Sequence, residues 1–170
     1  RSGLYGREFG MWKFRTMYRD ADKRLDEVKA KYGNDMDGPI FKLEHDPRIF
    51  SFGRFLRKFS IDELPQLFNV LAGDMSLVGP RPEMIENVDK YTQELPEFTY
   101  RLRAKAGLTG LAQIYGRYNT SPKDKLIMDL TYIQEYSLWL DVKLILRTVL
   151  VLLTPDDSTE AFEQTEEEKP

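Results

Sequence analysis

The chain has 170 residues, 41% of them hydrophobic and 31% charged, a length that suits one folded domain with a real core rather than two. Cysteine is absent and histidine occurs once, at position 45, which excludes disulfides, thiolate metal sites, cysteine nucleophiles and multi-histidine metal cages. The net charge of -3 is unevenly spread: after Pro155 seven acids face one lysine, so residues 1–155 carry +3, a mildly basic body suited to phosphates or lipid head groups, with Lys and Arg too sparse for nucleic acid.

The opening RSGLYGREFGMWKFRTM carries no signal-peptide pattern. Glu8 to Phe14 alternates weakly and predicts a short strand or extended arm. Tyr18 to Tyr32 favours helix, stopped by Gly33-Asn34. Asp35 to Pro47 is a loop punctuated by Gly38-Pro39 and Asp46-Pro47. Phe52 to Phe59 predicts a short amphipathic helix, with the aromatics and Leu56 on one side and Arg54, Arg57 and Lys58 largely on the other. A second helix is expected from Ser60 to about Ala72, then a turn at Gly73-Asp74. Gly79-Pro80-Arg81-Pro82 is a stiff loop that neither a helix nor a central strand tolerates. Helices are expected near Glu83 to Gln93 and Glu97 to Ala104, an extended stretch from Gly107 to Arg117, and helices from Asp124 to Tyr136 and Leu138 to Leu153. The last is interrupted by Asp141, Lys143, Arg147 and Thr148, and is too short and too charged to span a bilayer. It reads as a core helix or as one lying among lipid head groups. The fold class is α+β and mostly helical, with amphipathic surface helices, a few short strands and no internal repeat.

Asp62-Glu63 is the central chemical feature. Ser60 with Glu63 matches a capping box, and acids suit a helix N-terminus. On spacing alone capping is the commoner role; the same pair also suits a carboxylate nucleophile, Asp62, with Glu63 orienting it or handling a proton. Such a nucleophile needs cations beside its anionic substrate, and Arg57 and Lys58 lie just upstream. Arg81, between prolines, is either part of a rigid surface turn or a pre-aimed phosphate ligand. Lys13 and Arg15 share one face of an extended segment, as an anion-binding pair or as solvated charges. The glycines from Gly107 to Gly116 permit close backbone approach, Arg117 is a candidate anion ligand, and the spacing matches no Walker loop or dinucleotide fingerprint. His45 is assigned no role.

In their order, Lys13-Phe14-Arg15-Thr16-Met17, Asp46-Pro47-Arg48, the run from Ser60 to Leu71 and the run from Gly73 to Pro82 closely resemble the bacterial sugar transferase family. These are also called the monotopic polyprenyl-phosphate phosphoglycosyl transferases. The likeness continues through Gly107 to Arg117 and Asp129 to Lys143, and covers roughly Phe9 to Leu153. It implies a compact catalytic domain over residues 1–155, while composition makes 156–170 an acidic, solvated and disordered tail. It further implies that a UDP-sugar gives its sugar-1-phosphate to an aspartate, releasing UMP, and that undecaprenyl phosphate then takes it, as the first membrane step of surface polysaccharide or glycoconjugate assembly. Carried over by position, Asp62 is the nucleophile, Glu63 its partner, and Mg2+ sits beside Asp62. Lys13, Arg15, Arg57, Arg81 and Arg117 line the substrate pocket together with Asp141. The implied setting is the cytoplasmic face of the bacterial inner membrane, with homo-oligomerisation left open. The family's hydrophobic re-entrant helix, normally ahead of the Lys13 block, has no counterpart in these residues. Two other readings stand beside this one: a non-catalytic membrane-peripheral module that binds anionic lipid while Asp62 and Glu63 cap a helix, and a soluble nucleotide-sugar hydrolase with no lipid acceptor.

Overall fold

The computed structural model of the chain describes residues 1–33, 43, 45–116 and 120–153. The described helices are α1 (Leu25–Tyr32), α2 (Ser51–Lys58), α3 (Gln66–Ala72), α4 (Ile85–Glu94), α5 (Leu111–Tyr115), α6 (Pro122–Gln134) and α7 (Leu138–Leu153). The described strands are β1 (Ser76–Val78) and β2 (Gly107–Thr109), and 3-10 segments cover Leu4–Gly6, Ile61–Glu63 and Pro96–Arg103. The fold is thus α+β and mostly helical. It divides into two units, the larger formed by Arg1–Met11 with Gln66–Pro170 and the smaller by Trp12–Pro65.

In the smaller unit an extended arm is fastened along its length. The Phe14 amide donates to the Asp62 carbonyl at 2.9 Å, Met17 forms an antiparallel bridge with Ile49, and the Tyr18 amide donates to the Arg48 carbonyl at 2.9 Å. Helix α2 lies against this arm backbone to backbone, because a Cβ at Gly53 would collide with the Thr16 carbonyl. Asp46 and Arg48 anchor the far end. Arg48 Nε donates to both Asp46 oxygens at 2.9 and 3.1 Å, Nη2 donates to Oδ2 at 2.6 Å, and Nη1 donates to the Ala21 carbonyl at 3.5 Å. Burial alone would push the Asp46 carboxyl up, but the hydrogen bonds from the Arg48 side chain and amide, with its charge, outweigh that and leave it below the ordinary value.

That anchoring corrects the expected helix from Tyr18. The Ala21 carbonyl is taken by Arg48, the Leu25 amide turns to Asp22 instead, and residues 19–24 form turns, so α1 begins only at Leu25. On α2 the aromatic ladder Phe52–Phe55–Phe59, with centroid spacings of 5.9 and 5.1 Å, leaves Phe52 and Phe55 exposed, while Gly53 is buried.

The larger unit is built on a two-stranded parallel ladder, Ser76 opposite Gly107 and Val78 opposite Thr109. The connection between the strands carries α4 and the 3-10 segment Pro96–Arg103, where Tyr91 and the buried Phe98 pack at 4.9 Å. Val78, Tyr132 and Leu144 form the buried core, with Leu111, Ile114, Ile133, Leu140 and Ile145 packed on it. The Thr148 hydroxyl donates to the Leu144 carbonyl at 2.8 Å, which directs the Thr109 hydroxyl, 2.6 Å away, to donate to Thr148 and tie β2 to α7.

Further elements differ from expectation: the helix expected over Glu97 to Ala104 is the 3-10 segment Pro96–Arg103, and α4 starts at Ile85. The second half of Gly107 to Arg117 is not extended: Leu111 and Ile114, three apart, both face the core, and the Gln113 and Ile114 amides share the Gly110 carbonyl at 3.2 Å, giving α5. Helix α6 starts two residues before Asp124, because Ser121 accepts from the Asp124 amide at 3.1 Å and Pro122 occupies the first helical position, where no amide is missed. Helix α7 matches its expected span, yet only Leu144 on it is fully buried. Leu138, Trp139, Leu146, Leu150 and Leu153 face outward. Among the described residues, no helix is long and apolar enough to cross a membrane.

Gly53→Ala should lower stability by about 1–3 kcal/mol, because the collision is with backbone rather than a movable side chain; thermal melting against wild type measures it. The Asp46–Arg48 pair should act through pH. A carboxyl held below 3.8 contributes stability that is full above that value and lost as pH falls through the folded-state value. Asp46→Asn should therefore melt lower than wild type at neutral pH, and the gap should narrow as pH falls below 3.8.

Candidate active site

The Asp62-Glu63 segment of the smaller unit is a 3-10 turn. Ser60, just before it, adopts the left-handed conformation with φ 51° and ψ 21°, which costs a non-glycine residue about 1–2 kcal/mol. The Ser60 amide donates to the Arg57 carbonyl at 3.1 Å, closing α2, and its side chain makes no capping hydrogen bond. The capping-box reading is therefore corrected. The expected single helix from Ser60 to Ala72 also breaks: Leu64 keeps α geometry, but Pro65 has no amide to carry the hydrogen-bond ladder on, and α3 starts afresh at Gln66.

The resulting turn buries the Asp62 carboxylate to 2% exposure. The Phe14–Asp62 backbone hydrogen bond brings the neighbouring Lys13 to it: Nζ lies 2.8 Å from Asp62 Oδ2 and donates to Glu63 Oε1 at 3.3 Å. One ammonium thus bridges two adjacent carboxylates while remaining a third exposed. The Lys13 contact to Asp62 Oδ2 is an ion pair and not a directed hydrogen bond, so this buried oxygen is charge-paired but has no donor aligned with a lone pair. A buried acceptor in that state is an opening for a ligand hydrogen or a cation.

Arg57, on the last turn of α2, donates through Nε to the Thr16 hydroxyl at 2.9 Å, so arm and helix fix each other. Arg15 is exposed and does not join the Lys13 cluster. Lys13, Asp62 and Glu63 are therefore brought together, Arg57 is held on the same arm, and Arg15 stands apart.

The larger unit carries Arg81 and Asp141. Arg81 sits on a turn whose two prolines offer no amides, and every carbonyl from Val78 to Arg81 takes a donor from a different segment. The Tyr132 hydroxyl, sharing its one hydrogen with Asp141, reaches the Val78 carbonyl at 3.3 Å, and Gln113 Nε2 donates to Gly79 at 3.5 Å, the Gly107 amide to Pro80 at 2.9 Å, and Arg101 Nη2 to Arg81 at 2.8 Å. At the Gly79–Gly107 crossing the backbones meet so closely that a Cβ on Gly107 would strike Gly79, and one on Gly79 would strike the Lys105 carbonyl. Asp141, in the first turn of α7, has its Oδ1 2.9 Å from the Tyr132 hydroxyl. Burial first, then the hydrogen bond and charge of Asp141, push the Tyr132 phenol above its ordinary range, so it is a neutral donor at any physiological pH. Arg117 lies outside the described residues.

Thr16, Tyr132, Gln113 and the buried Arg101–Asp129 pair were given no individual role by the sequence, although Thr16, Gln113, Asp129 and Tyr132 lie within its motifs. The legible signal was Asp129 within the apolar stretch Leu126 to Ile133, since a carboxylate there requires a buried partner. Among the described residues, no group of three or more His, Cys, Asp or Glu side chains is placed to hold a metal ion.

The bacterial sugar transferase family matches residues 1–155. A galactosyl transferase CpsE from Streptococcus agalactiae serotype III is 47% identical over 154 residues, covering 90% of this chain and 33% of the relative. An undecaprenyl-phosphate galactose phosphotransferase from Salmonella typhimurium is 40% identical over 163 residues, covering 92% of this chain and 33% of the relative. A UDP-glucose:undecaprenyl-phosphate glucose-1-phosphate transferase from Caulobacter vibrioides is 45% identical over 163 residues, covering 93% of this chain and 56% of the relative. The chain spans between a third and little more than half the length of these relatives.

Ser60→Gly should be tolerated within about 1 kcal/mol, because relief of the left-handed backbone offsets the added freedom of the unfolded chain. Ser60→Val, which adds a β-branched side chain at the same φ, should cost about 2 kcal/mol or more. Denaturant unfolding of the two variants checks the difference.

Proposed function

The chain belongs to the bacterial sugar transferase family, and we propose that it moves a sugar-1-phosphate from a UDP-sugar to a polyprenyl phosphate, releasing UMP. The observation that carries this reading is the Lys13 ammonium lying across the Asp62 and Glu63 carboxylates, with Asp62 buried. A carboxylate can approach an anionic diphosphate only with cationic charge beside it.

In the first step an Asp62 carboxylate oxygen attacks the sugar-bearing phosphorus. The bond from that phosphorus to the bridging oxygen breaks, and UMP leaves with the oxygen and its electron pair. In the second, an oxygen of the polyprenyl phosphate attacks the same phosphorus. The acyl phosphate bond breaks, the Asp62 carboxylate is restored, and the lipid leaves as the diphosphate-linked sugar. Glu63 accepts a hydrogen bond from Lys13, which supports a role in orienting that lysine beside Asp62. Lys13 offsets charge on the attacked phosphoryl group, and Arg57, Arg81 and Arg117 serve as cationic ligands of the donor diphosphate, with Arg15 and Asp141 as further contributors to substrate binding.

Mg2+ fits this donor set. Asp62 Oδ2 is a buried oxygen with no aligned hydrogen-bond donor, and an ion of this kind is satisfied by one or two carboxylates together with substrate phosphates and water. When bound it would be held by Asp62 and would neutralise diphosphate charge.

The lipid acceptor places the reaction at a membrane surface, and the cytoplasmic face of the inner membrane is the proposed location. The outward leucines of α7, with Trp139, Lys143 and Arg147, support contact with head groups. The proposed setting is the first membrane step of surface polysaccharide or glycoconjugate assembly. The non-catalytic alternative, in which Asp62 and Glu63 only cap a helix, loses the Ser60 half of its capping box.

Asp62→Asn should lower UMP release from a UDP-sugar, with magnesium and undecaprenyl phosphate present, by about a thousandfold or more, and Glu63→Gln by about ten- to a hundredfold. Full-rate release by Asp62→Asn would overturn the nucleophile. Release that never depends on undecaprenyl phosphate would instead identify a hydrolase.

A further inference from the structure

Arg101 and Asp129 are both buried in the larger unit, at 4% and 2% exposure, and the proposed chemistry uses neither. Taking both charges out of water carries a large desolvation cost, and a well-packed apolar pair could fill the same space at less. What an apolar pair could not supply is the second arm of the guanidinium fork. Nε donates to Asp129 Oδ2 at 2.7 Å, while Nη2 of the same planar group donates to the Arg81 carbonyl at 2.8 Å. The guanidinium carbon sits 4.9 Å from the centroid of the buried Phe98 ring. A carboxylate on α6, a ring on the 3-10 segment and a carbonyl on the turn together leave the fork one orientation.

The local chemistry of Pro80-Arg81-Pro82 makes that carbonyl a lever. Both prolines have fixed φ, and Pro82 confines ψ of Arg81 to the extended region. Within that region the direction of the Arg81 carbonyl and the rotation of the Arg81 side chain are set by the same backbone torsion. Pro82 offers no amide to lock it. The Arg101 hydrogen bond does.

We propose that Arg101 is a positioning residue for Arg81: pinned to Asp129 and stacked on Phe98, it fixes the backbone from which Arg81 reaches the donor diphosphate. This rests on the reading of Arg81 as a diphosphate ligand. Lysine at position 101 would keep the charge beside Asp129 but cannot hold the carboxylate and the carbonyl in one rigid plane.

The test is calorimetric titration of the full chain with UDP and magnesium, UDP being the diphosphate common to every UDP-sugar. Arg81→Ala should weaken UDP binding by about tenfold or more. Arg101→Lys should weaken it by about five- to tenfold in the wild-type background and by nothing further in the Arg81→Ala background. A second variant, Arg101→Gln with Asp129→Asn, removes both charges so that no buried ion is left unpaired, and should show the same background-dependent loss. A purely structural pair would change melting temperature and give the same fractional loss with or without Arg81. Equal losses in the two backgrounds, or wild-type affinity in both Arg101 variants, overturn the positioning role while leaving Arg81 as a ligand. Wild-type affinity in Arg81→Ala alone overturns the reading of Arg81 itself, and the positioning role with it.

Discussion

A peptide carbonyl buried without a donor loses more free energy than an ordinary hydrogen bond returns, and a turn with two prolines supplies acceptors without amides to match. From Val78 to Arg81 this constraint reaches into four other segments of the larger unit. Tyr132 on α6, Gln113 on α5, Gly107 on β2 and Arg101 on the 3-10 segment each give one donor. The small parallel ladder, the core around Val78, and the Tyr132–Asp141 contact all converge on this stretch. A two-stranded sheet alone holds a turn weakly. Here the turn is held because its acceptors recruit the helices around it.

The smaller unit meets the complementary problem of a buried acid. Its answer is an extended arm rather than a helix: the arm presents Lys13 to both carboxylates, hydrogen-bonds through Phe14 to the backbone of Asp62, and receives Arg57 on Thr16. Gly53 lets α2 sit directly on the arm, and the Asp46–Arg48 fork closes its far end. The left-handed backbone at Ser60 ends α2 and starts the turn that carries Asp62. Local backbone cost thus accumulates beside the group assigned to chemistry, as is common where a side chain must be held in one place.

Much of this was legible from residues. Apolar periodicity gave α7 its full span, and proline and glycine marked the turn at Gly79 to Pro82. Motif order pointed to Asp62, Glu63 and Lys13. The errors share one cause. Capping spacing at Ser60 and Glu63 is local, but the backbone conformation that defeats it is set by how α2 closes and by Pro65. Helix propensity across Tyr18 to Leu25 is local, and a guanidinium 27 positions away takes the carbonyl it needs. Gly107 to Gly116 looks extended because glycines dominate it, whereas Leu111 and Ile114 make a helix by meeting a core composed from distant segments. The Arg101–Asp129 pair is wholly tertiary, 28 positions apart, and only the oddity of an acid in an apolar run hinted at it.

The division of the chain has a consequence for the order of synthesis. The larger unit is discontinuous: its first strip, Arg1–Met11, is followed by the whole of Trp12–Pro65 before the rest appears. The partners of that strip are late, since the Ser2 amide donates to the Glu83 carbonyl and Asn69 donates to the Gly10 carbonyl. At a ribosomal rate of about 5–20 residues per second, the leading residues wait several seconds for the surface they pair with. All of Trp12–Pro65 is meanwhile already made, so the arm and the carboxylate turn are synthesised first and the Pro-Arg-Pro turn afterwards. The nascent chain therefore carries its whole carboxylate turn before the segments that hold Arg81 exist.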